Sequence, residues 1–578
     1  MQFKFKNFVT NWLLPPKIKS LLIRSNQQNT TQKFWTAEPL GIPCFEEKYF
    51  KGLKGIRQTI TRSDDTRSSL TISDETILPL PYGERASHIQ IGVTADSWEQ
   101  NSLLKITIGD HTVEQTHLKS VHWQSSKGRW LDIRLPVPPK AEKIVIHCNE
   151  KIHLTMPRWI SVKAHKPSTQ RSEIKHVLVL VLDGGCKRIQ GKTHPTLPDI
   201  ELTPNINHFF KKSFKAHNCF SSSEWTFPSV TSFFTGLRTS RHHAFHPTRN
   251  YKLSKNNHLL AETFQSNGFH TTCYSAANRI TPSYGFNRGF DRFVYHWAEE
   301  GRTEYNYDTC KWVSDVIGQL STHRHDKTFT YLQLPDPHPP WNIPPLSRSY
   351  NLSREGSSTG LDFLEIEDHP DALSQSKQLE QLRVHDLDRE LGALFSFIEK
   401  NVPDNTLVML TADHGSAWKA FRPSNKMIPE PTLTHDRVKI DFYIKGPGVP
   451  TMDYEGLCSP NIDLRPTLHN LLDFTYEDTF DGIDILSDHT SRKYTISESV
   501  YNGVYEISAQ NTSQSLIKQF SFDETSLQII GSEIYSGAFN IGTTDYKKPL
   551  DVTSKELETA IRDYMQSPTF FNYSPFKT

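Results

Sequence analysis

The pattern of apolar and polar positions changes along the chain and divides it into regions. Residues 1–40 show little periodicity, whereas apolar and polar residues alternate in short segments further on, such as 88–94 and 143–147. Alternation with a period of two, interrupted by turn residues, is typical of short antiparallel strands with one buried face. We therefore predict an accessory antiparallel β-sandwich over residues 41–165.

Three almost continuous apolar runs follow, at residues 176–182, 329–334 and 406–412. Such runs are typical of strands that are buried on both faces of a parallel sheet. Segments with helical periodicity lie between the runs, and this alternation predicts a largely parallel sheet flanked by helices. The fold class is therefore α/β for residues 173–490.

The last part of the chain, residues 491–578, has a weaker pattern. Short alternating patches come first, and a helical pattern follows at 554–565. We predict a small C-terminal α+β subdomain.

Each of the three apolar runs ends in residues that can bind metals or transfer protons. These residues are Asp183 after the first run, Asp336 and His338 after the second, and Asp413 and His414 after the third. Ligands in open α/β sheets bind at the carboxyl ends of strands. Carboxylates and imidazoles that converge there predict a metal site.

Thr226 lies two residues before a Pro-Ser pair that can open a helix. The free N–H groups and the positive dipole end of a helix favour an anion. Thr226 is therefore a candidate nucleophile that faces a phosphate-like or sulfate-like group. Taken alone, this stretch is better explained as a buried, capped helix start, but the three strand ends reverse that balance.

Composition narrows the classes of function. The 578 residues include 65 basic and 64 acidic side chains, and the formal net charge of +1 gives no argument for nucleic-acid binding. Seven scattered cysteines argue against a disulfide framework and favour a cytoplasmic protein. The apolar stretch near the N-terminus is too short to span a bilayer, so residues 8–24 are expected to make at most a peripheral contact with the inner membrane.

Several motifs occur in the order found in the sulfatase-like branch of the alkaline phosphatase superfamily, which residues 173–490 resemble. The matching segments are Leu-Val-Leu-Asp183, Thr203-Pro-Asn-Ile-Asn, Thr226-Phe-Pro-Ser229, 285–291, Asp336-Pro-His338, Thr411-Ala-Asp413-His414-Gly, 443–448 and 461–469. The resemblance implies an alkaline-phosphatase-like core and an enzyme that uses a divalent metal ion.

The resemblance also implies a ligand set for that metal. Asp183, Asp413 and His414 would bind the ion, and the Thr226 hydroxyl would complete its shell. One imidazole among oxygen ligands favours zinc or manganese, with calcium and magnesium as alternatives.

Further roles follow from the same resemblance. His338 would face the leaving group or the substrate oxygens, and His435 would be another active-site histidine. If a second metal is bound, Asp336, His338 and His435 would supply its ligands.

Three residues differ from the family motif, and these differences limit the reactions that we expect. Sulfatases convert a Cys or Ser to formylglycine, and Thr226 cannot supply that aldehyde. Val230 stands where the motif has Arg, and Gly184 where a second Asp is usual. A Thr nucleophile resembles instead the phosphoethanolamine and phosphoglycerol transferases and the nucleotide pyrophosphatase/phosphodiesterases.

We therefore expect a metal-dependent phosphotransferase or phosphodiesterase that acts on a glycan-linked or small phosphodiester, in surface polysaccharide biosynthesis. Two alternatives stay open. One is a sulfatase-like hydrolase of sulfated glycans that works without formylglycine, and the other is a non-catalytic glycan-binding member of the fold. The sequence leaves the oligomeric state open.

Overall fold

The computed structural model describes most of residues 55–571. The stretches of this range outside the description are 63–64, 80–87, 97–102, 110, 118–129, 139–140, 142, 156–157, 161–173, 186–191, 196, 246–252, 255, 278, 296–308, 325, 339–371, 416–430, 476–478, 488–491, 544–545 and 547. The predicted N-terminal segment 1–40, with its membrane-contacting stretch 8–24, also lies outside the described residues.

The N-terminal region contains two antiparallel sheets. Its strands are β1 (Ile56–Arg62), β2 (Asp65–Ile72), β3 (Glu75–Pro79), β4 (His88–Ala95), β5 (Leu103–Ile108), β6 (His111–His117), β7 (Leu131–Pro136), β8 (Lys143–Cys148), β9 (Ile152–Leu154) and β10 (Arg158–Ile160). Strands β3, β8, β5 and β6 form one sheet, and the others join a second sheet. Ile91 from the second sheet and Ile106 and Ile146 from the first are fully buried in a shared core, which confirms the predicted sandwich.

The central region alternates strands and helices. Its strands are β11 (His176–Leu182), β12 (Thr193–His194), β13 (Leu197–Glu201), β14 (Phe214–Phe220), β15 (His270–Ser275), β16 (Arg292–Tyr295), β17 (Thr328–Leu334), β18 (Thr406–Ala412), β19 (Lys439–Lys445) and β20 (Met452–Cys458). Its helices are α1 (Pro204–Phe209), α2 (Thr226–Thr235), α3 (Thr239–His242), α4 (Leu260–Ser266), α5 (Thr309–Thr322), α6 (Ala372–Asn401), α7 (His435–Val438) and α8 (Pro460–Leu471), with 3₁₀ turns at Pro282–Tyr284 and Pro403–Asn405.

The three predicted apolar runs form adjacent parallel strands, in the order β17-β11-β18. Every residue of these strands is buried. Leu182, the last residue of β11, lies opposite Leu334 of β17 and Ala412 of β18. Because the three strands end in register, the residues that follow them lie at the same edge of the sheet.

Helices and further strands complete the α/β fold. Strand β15 continues the parallel part beside β17. On the other side, β19 runs antiparallel to β18, and β14, which pairs antiparallel with β19, returns to the direction of the central strands. Phe234 of α2 and Leu391 of α6 are buried in the same core as β11. A mostly parallel sheet flanked by helices is therefore confirmed. None of the helices in the described part of the chain has the length and apolarity that a bilayer crossing requires.

The accessory sandwich and the central sheet are hydrogen-bonded to each other. Asp65 of β2 pairs antiparallel with Val294 of β16. One sheet of the sandwich thereby continues into the central sheet, giving 14 strands among the described residues. The pairing covers an edge of β16 that would otherwise expose unpaired backbone groups.

The C-terminal region packs against the segment that precedes α2. It comprises β21 (Thr495–Tyr501), β22 (Val504–Gln510), β23 (Gln514–Asp523), β24 (Gln528–Asn540) and α9 (Lys555–Met565). The four strands form one antiparallel sheet, and Ile561 of α9 packs with Ile507 of β22 in its core. Glu498 of β21 donates its backbone N–H to the Ser222 carbonyl at 2.9 Å. The C-terminal sheet therefore supports the backbone that leads to Thr226.

A buried guanidinium holds the C-terminal end of α2. The helix ends at Gly236, whose φ of 71° is left-handed and favours glycine. Arg465 of α8, which is 1 % exposed, donates to the carbonyls of Thr235 at 2.8 Å and Phe234 at 3.3 Å. It also donates to the His258 carbonyl at 2.6 Å. A cation at this end complements the negative pole of the helix dipole.

We predict that Arg465→Met lowers the free energy of unfolding by about 1–3 kcal/mol, because it leaves buried carbonyls without a donor. Denaturant unfolding followed by circular dichroism measures this change. The matched control is Arg562→Met at a side chain that is 61 % exposed, where we expect a change within about 0.5 kcal/mol. Equal effects at the two positions would contradict the assigned role of Arg465.

Candidate active site

The turn that follows β11 is hydrogen-bonded to the residue that follows β18. Asp183 follows β11 directly and donates its backbone N–H to the Leu334 carbonyl at 2.8 Å. Gly184 comes next with φ of 66°, a conformation that glycine adopts without the strain of a side chain. Its N–H donates to Asp413 Oδ1 at 3.0 Å. The turn thus joins the backbone after one strand to the carboxylate after the other.

Four side chains converge at this edge of the sheet. Thr226 Oγ1 lies 3.3 Å from Asp183 Oδ1 and 3.3 Å from His414 Nε2. His414 Nε2 lies 3.7 Å from Asp183 Oδ1 and 3.6 Å from Asp413 Oδ2. All four residues are buried. Four residues from three widely separated parts of the sequence therefore bring one possible ligand atom each to the same place.

These distances fit a shared divalent cation. Four ligand atoms at tetrahedral angles and bond lengths of about 2.1 Å lie about 3.4 Å apart. The same spacing arises at bond lengths of about 2.4 Å when the angles between ligands are near 90°. The distances between ligand atoms therefore do not distinguish these metals, and the chemical type of the ligands is the better guide. Among the described residues, Asp183, Asp413 and His414 are the group close enough to hold a metal ion together.

The imidazole of His414 has a fixed orientation. Its Nδ1 lies 2.7 Å from the Gly415 carbonyl oxygen, which can only accept, so Nδ1 carries the proton. Nε2 then presents its lone pair to Thr226 and the two carboxylates. An imidazole held in this way is the form that binds metals.

Asp413 accepts hydrogen bonds on both oxygens. Oδ1 accepts from the backbone N–H groups of Gly184 at 3.0 Å and His414 at 2.8 Å. Oδ2 accepts from Gln333 Nε2 at 2.9 Å, and the Tyr331 hydroxyl donates to Gln333 Oε1 at 2.7 Å. Sequence reasoning missed Gln333 and Tyr331. The available signal was a glutamine inside a run of buried residues, because a buried amide needs hydrogen-bond partners.

Burial makes the carboxylates unstable as charged groups in the absence of a cation. It raises the pKa of Asp413 to about 6. It also raises the pKa of Asp183, to which the neighbouring charge of Asp413 adds. Burial lowers the pKa of His414 to about 4, so this imidazole is neutral at physiological pH. A neutral imidazole beside two carboxylates is suited to a positive ion.

Helix α2 begins at Thr226 itself, two residues before the predicted Pro-Ser start. Trp225 is the N-cap in an extended conformation, and its carbonyl accepts the N–H of Ser229 at 3.3 Å. The first N–H groups of a helix have no acceptor within it. Thr226 therefore lies in the positive field of the helix N-terminus.

His338 borders the four-residue cluster. A Cβ atom built on Gly184 would lie 3.8 Å from His338 Cδ2 and 3.9 Å from His414 Cε1. His338 is also near enough to Asp183 and Asp413 to oppose the rise in the pKa of both carboxyl groups. The structure thus places this imidazole next to the cluster, as the sequence predicts.

Asp336 turns away from the cluster. Its carboxylate is fully buried, accepts a hydrogen bond from Thr309 Oγ1 of α5 at 2.8 Å, and forms an ion pair with Arg383 of α6. His338 donates its backbone N–H to the Pro335 carbonyl at 2.9 Å. Asp336 therefore anchors the loop that carries His338, and the structure does not bring it to a second metal position.

His435 lies at the start of α7. Its backbone N–H donates to the Tyr546 hydroxyl, and its ring faces Phe220 with 6.2 Å between the ring centroids. Its assignment as a catalytic residue or a ligand of a second metal stays a prediction.

Comparison with known proteins finds a family match. The family model for sulfatases matches residues 190–474, which include Thr226, His338, Asp413 and His414. Because this part of the chain is similar to sulfatases, we call it the sulfatase-like domain. Sulfatases use divalent metal ions; Thr226, Asp413 and His414 of the cluster lie in this domain, and Asp183 lies just before it. None of the curated proteins matches the sequence.

Solved structures share the fold of the sulfatase-like domain and its neighbouring regions. A 2-O GAG sulfatase is 14 % identical with a TM-score of 0.50, over 70 % of this chain and 97 % of that chain. Ps i-CgsB in complex with k-i-k-neocarrahexaose is 15 % identical with a TM-score of 0.51, over 70 % and 94 %. The phosphonate monoester hydrolase of Silicibacter pomeroyi is 14 % identical with a TM-score of 0.50, over 69 % and 95 %. At these identities the likeness concerns the fold.

We predict that the affinity for a divalent metal falls as the pH decreases through about 6, the pH at which Asp413 takes up a proton. The raised pKa has the opposite effect on the metal-free fold. Protonation of Asp413 stabilises that fold progressively as the pH falls from about 6 to the ordinary value of 3.8. Adding Mn²⁺ should therefore raise the melting temperature much more at a pH of about 8 than at about 5.

Asp413→Asn is the control for this prediction, since its amide does not titrate. We expect it to lose most of the metal-induced rise in melting temperature at both pH values. An equal rise at both pH values in the unaltered protein would contradict the prediction.

Proposed function

We propose that the protein is a metal-dependent phosphotransferase or phosphodiesterase whose nucleophile is Thr226. The observation that carries this proposal is the position of Thr226 Oγ1, 3.3 Å from both Asp183 Oδ1 and His414 Nε2. If Thr226 served only to begin the helix, its hydroxyl would not need to lie beside side chains that can bind a metal.

The ligand set proposed for the metal is Asp183, Thr226, Asp413 and His414. A divalent cation bound there lowers the pKa of the Thr226 hydroxyl and polarises an oxygen of the phosphoryl group. Two carboxylates, a hydroxyl and one imidazole favour zinc or manganese over calcium and magnesium.

Thr226 then acts as the nucleophile. Its hydroxyl releases a proton to solvent, its oxygen forms a bond to phosphorus, and the bond from phosphorus to the leaving oxygen breaks, which gives a phosphothreonine. In the second step, water or an acceptor hydroxyl loses a proton and its oxygen forms a bond to phosphorus. The bond to Thr226 breaks, and the Thr226 oxygen takes up a proton again. Water gives hydrolysis, and a sugar hydroxyl gives transfer.

Two features stabilise the charges in these steps. The N-terminal N–H groups of α2 donate to the phosphoryl oxygens as negative charge develops. His338, at the border of the cluster, donates a proton to the departing oxygen. The loop that carries His338 is held by the ion pair of Asp336 with Arg383.

The side chain at position 226 supports a phosphate ester rather than a sulfate ester as the proposed substrate. Threonine cannot be converted to formylglycine, so the usual sulfatase route is closed. Hydrolysis of sulfated glycans by direct attack of Thr226 is the second candidate, and the sulfatase-like fold favours it. A non-catalytic glycan-binding role is third, because a binding module needs no complete ligand set.

The proposed substrate is a glycan-linked or small phosphodiester, which places the enzyme in surface polysaccharide biosynthesis. The proposed compartment is the cytoplasm, peripheral to the inner membrane. Scattered cysteines support a reducing compartment, and four of the described ones, Cys148, Cys219, Cys273 and Cys458, are free thiols.

We predict that Thr226→Ala lowers the turnover of bis-p-nitrophenyl phosphate by about 10³-fold or more, since the nucleophile is removed. Thr226→Ser keeps a hydroxyl and should retain more activity than Thr226→Ala. Mass spectrometry of the quenched reaction should detect a phosphoryl adduct on Thr226. The assignment is wrong if Thr226→Ala keeps the activity, and faster turnover of p-nitrophenyl sulfate than of the phosphodiester would favour the second candidate.

We predict that His338→Asn slows substrates according to their leaving group. Turnover of an alkyl phosphodiester should fall by about 10²–10⁴-fold, because an alkoxide needs a proton to depart. Turnover of bis-p-nitrophenyl phosphate should fall far less, because p-nitrophenolate leaves without a proton. An equal loss with both substrates would contradict the role of His338 as the acid.

A further inference from the structure

Strand β17 carries two buried polar side chains that have no role in the proposed mechanism. Tyr331 and Gln333 are two residues apart, so they point to the same face of the strand. They are 1 % and 0 % exposed. Burying the polar groups of a tyrosine and a glutamine this deeply is costly unless they are hydrogen-bonded.

The orientation of the Gln333 amide follows from its neighbours. Its Nε2 lies 2.9 Å from Asp413 Oδ2, and an ionised carboxylate can only accept a hydrogen bond. The NH₂ group must therefore face Asp413 and the carbonyl oxygen must face the other way. There, Oε1 accepts the Tyr331 hydroxyl at 2.7 Å. Tyr331 thus prevents the amide from turning its oxygen towards the carboxylates.

The amide that meets Asp413 is neutral. Gln333 Nε2 donates to Asp413 Oδ2 at 2.9 Å, and Asp183 lies in the same cluster as Asp413. A neutral donor stabilises a buried carboxylate without cancelling its charge. A lysine or arginine there would neutralise the charge that attracts a metal ion.

We propose that Gln333, oriented by Tyr331, is a positioning residue of the metal centre. Its amide holds the carboxylate of Asp413 in the orientation in which Asp413 shares one divalent cation with Asp183 and His414. This inference rests on the proposed metal centre and adds to it a group outside the ligand set.

The test measures binding of Mn²⁺ to the metal-free full-length protein by calorimetric titration and by the Mn²⁺ electron paramagnetic resonance spectrum. Loss of a partner that orients a metal ligand costs about 10–100-fold in metal affinity. We expect a loss of this size for Gln333→Met, which keeps the side-chain volume and removes both donors. Tyr331→Phe should cause a smaller loss, because the amide remains but its orientation is no longer fixed.

The control variant is Thr330→Val. Thr330 is fully buried on the opposite face of β17, its Oγ1 has no hydrogen-bond partner, and valine has nearly the same shape. We expect wild-type affinity and a wild-type spectrum. This control separates an effect on the metal centre from a general effect of changing the buried strand.

A double variant separates positioning from stability. Replacing both Tyr331 and Gln333, by Phe and Met, removes the two partners of one hydrogen bond together and leaves no buried hydroxyl unpaired. Its melting temperature in the metal-free state should recover towards the wild type, relative to Gln333→Met alone. Its metal affinity should stay low, because the Asp413 carboxylate still lacks its side-chain donor.

Three outcomes would overturn the inference. They are wild-type affinity in Gln333→Met, equal losses in Gln333→Met and Thr330→Val, and recovery of affinity together with stability in the double variant. If Gln333→Met does not fold, wild-type affinity in Tyr331→Phe overturns it. If the unaltered protein binds no divalent metal, the proposed metal centre fails as well, whereas metal binding that is insensitive to Gln333 refutes only this inference.

Discussion

The structure depends on the meeting of two buried like charges. Asp183 and Asp413 follow neighbouring parallel strands that end in register, and their carboxylates lie in one cluster. Repulsion and loss of hydration both disfavour the charged pair. Neighbouring hydrogen-bond donors offset this cost. Backbone N–H groups donate to Asp413 Oδ1 and the Gln333 amide donates to Asp413 Oδ2. The N-terminus of the helix that begins at Thr226 adds a positive field. The cation proposed for this cluster would complete the compensation.

The sequence predicts the fold and the cluster because both follow from local patterns. Apolar runs identify the central strands, and the residue after each run must lie at the carboxyl edge. This reasoning succeeds for Asp183, Asp413 and His414, which the turn geometry holds at that edge. Position along a strand does not fix the direction of a side chain that has another partner. Asp336 also follows a buried strand, yet its carboxylate forms an ion pair with Arg383 of helix α6 and is not part of the cluster.

Other parts of the site depend on contacts that no local pattern encodes. Gln333 and Tyr331 lie within an apolar run, and their partners come from strands that are close only after folding. The start of α2 at Thr226 is similar, because Pro228 and Ser229 favour a later beginning by propensity alone. The pairing of β16 with β2 involves single residues that are far apart in sequence. Such features become visible only when the strand order is known.

The continuous sheet has a consequence for how this architecture can evolve. A module joined by a flexible tether can be lost or exchanged without harm to its neighbour. Here the accessory sandwich shares backbone hydrogen bonds with the catalytic sheet at Asp65 and Val294. Deleting it would uncover an aggregation-prone strand edge beside the catalytic core. Descendants of this protein can therefore vary the loops of the sandwich far more freely than they can discard it.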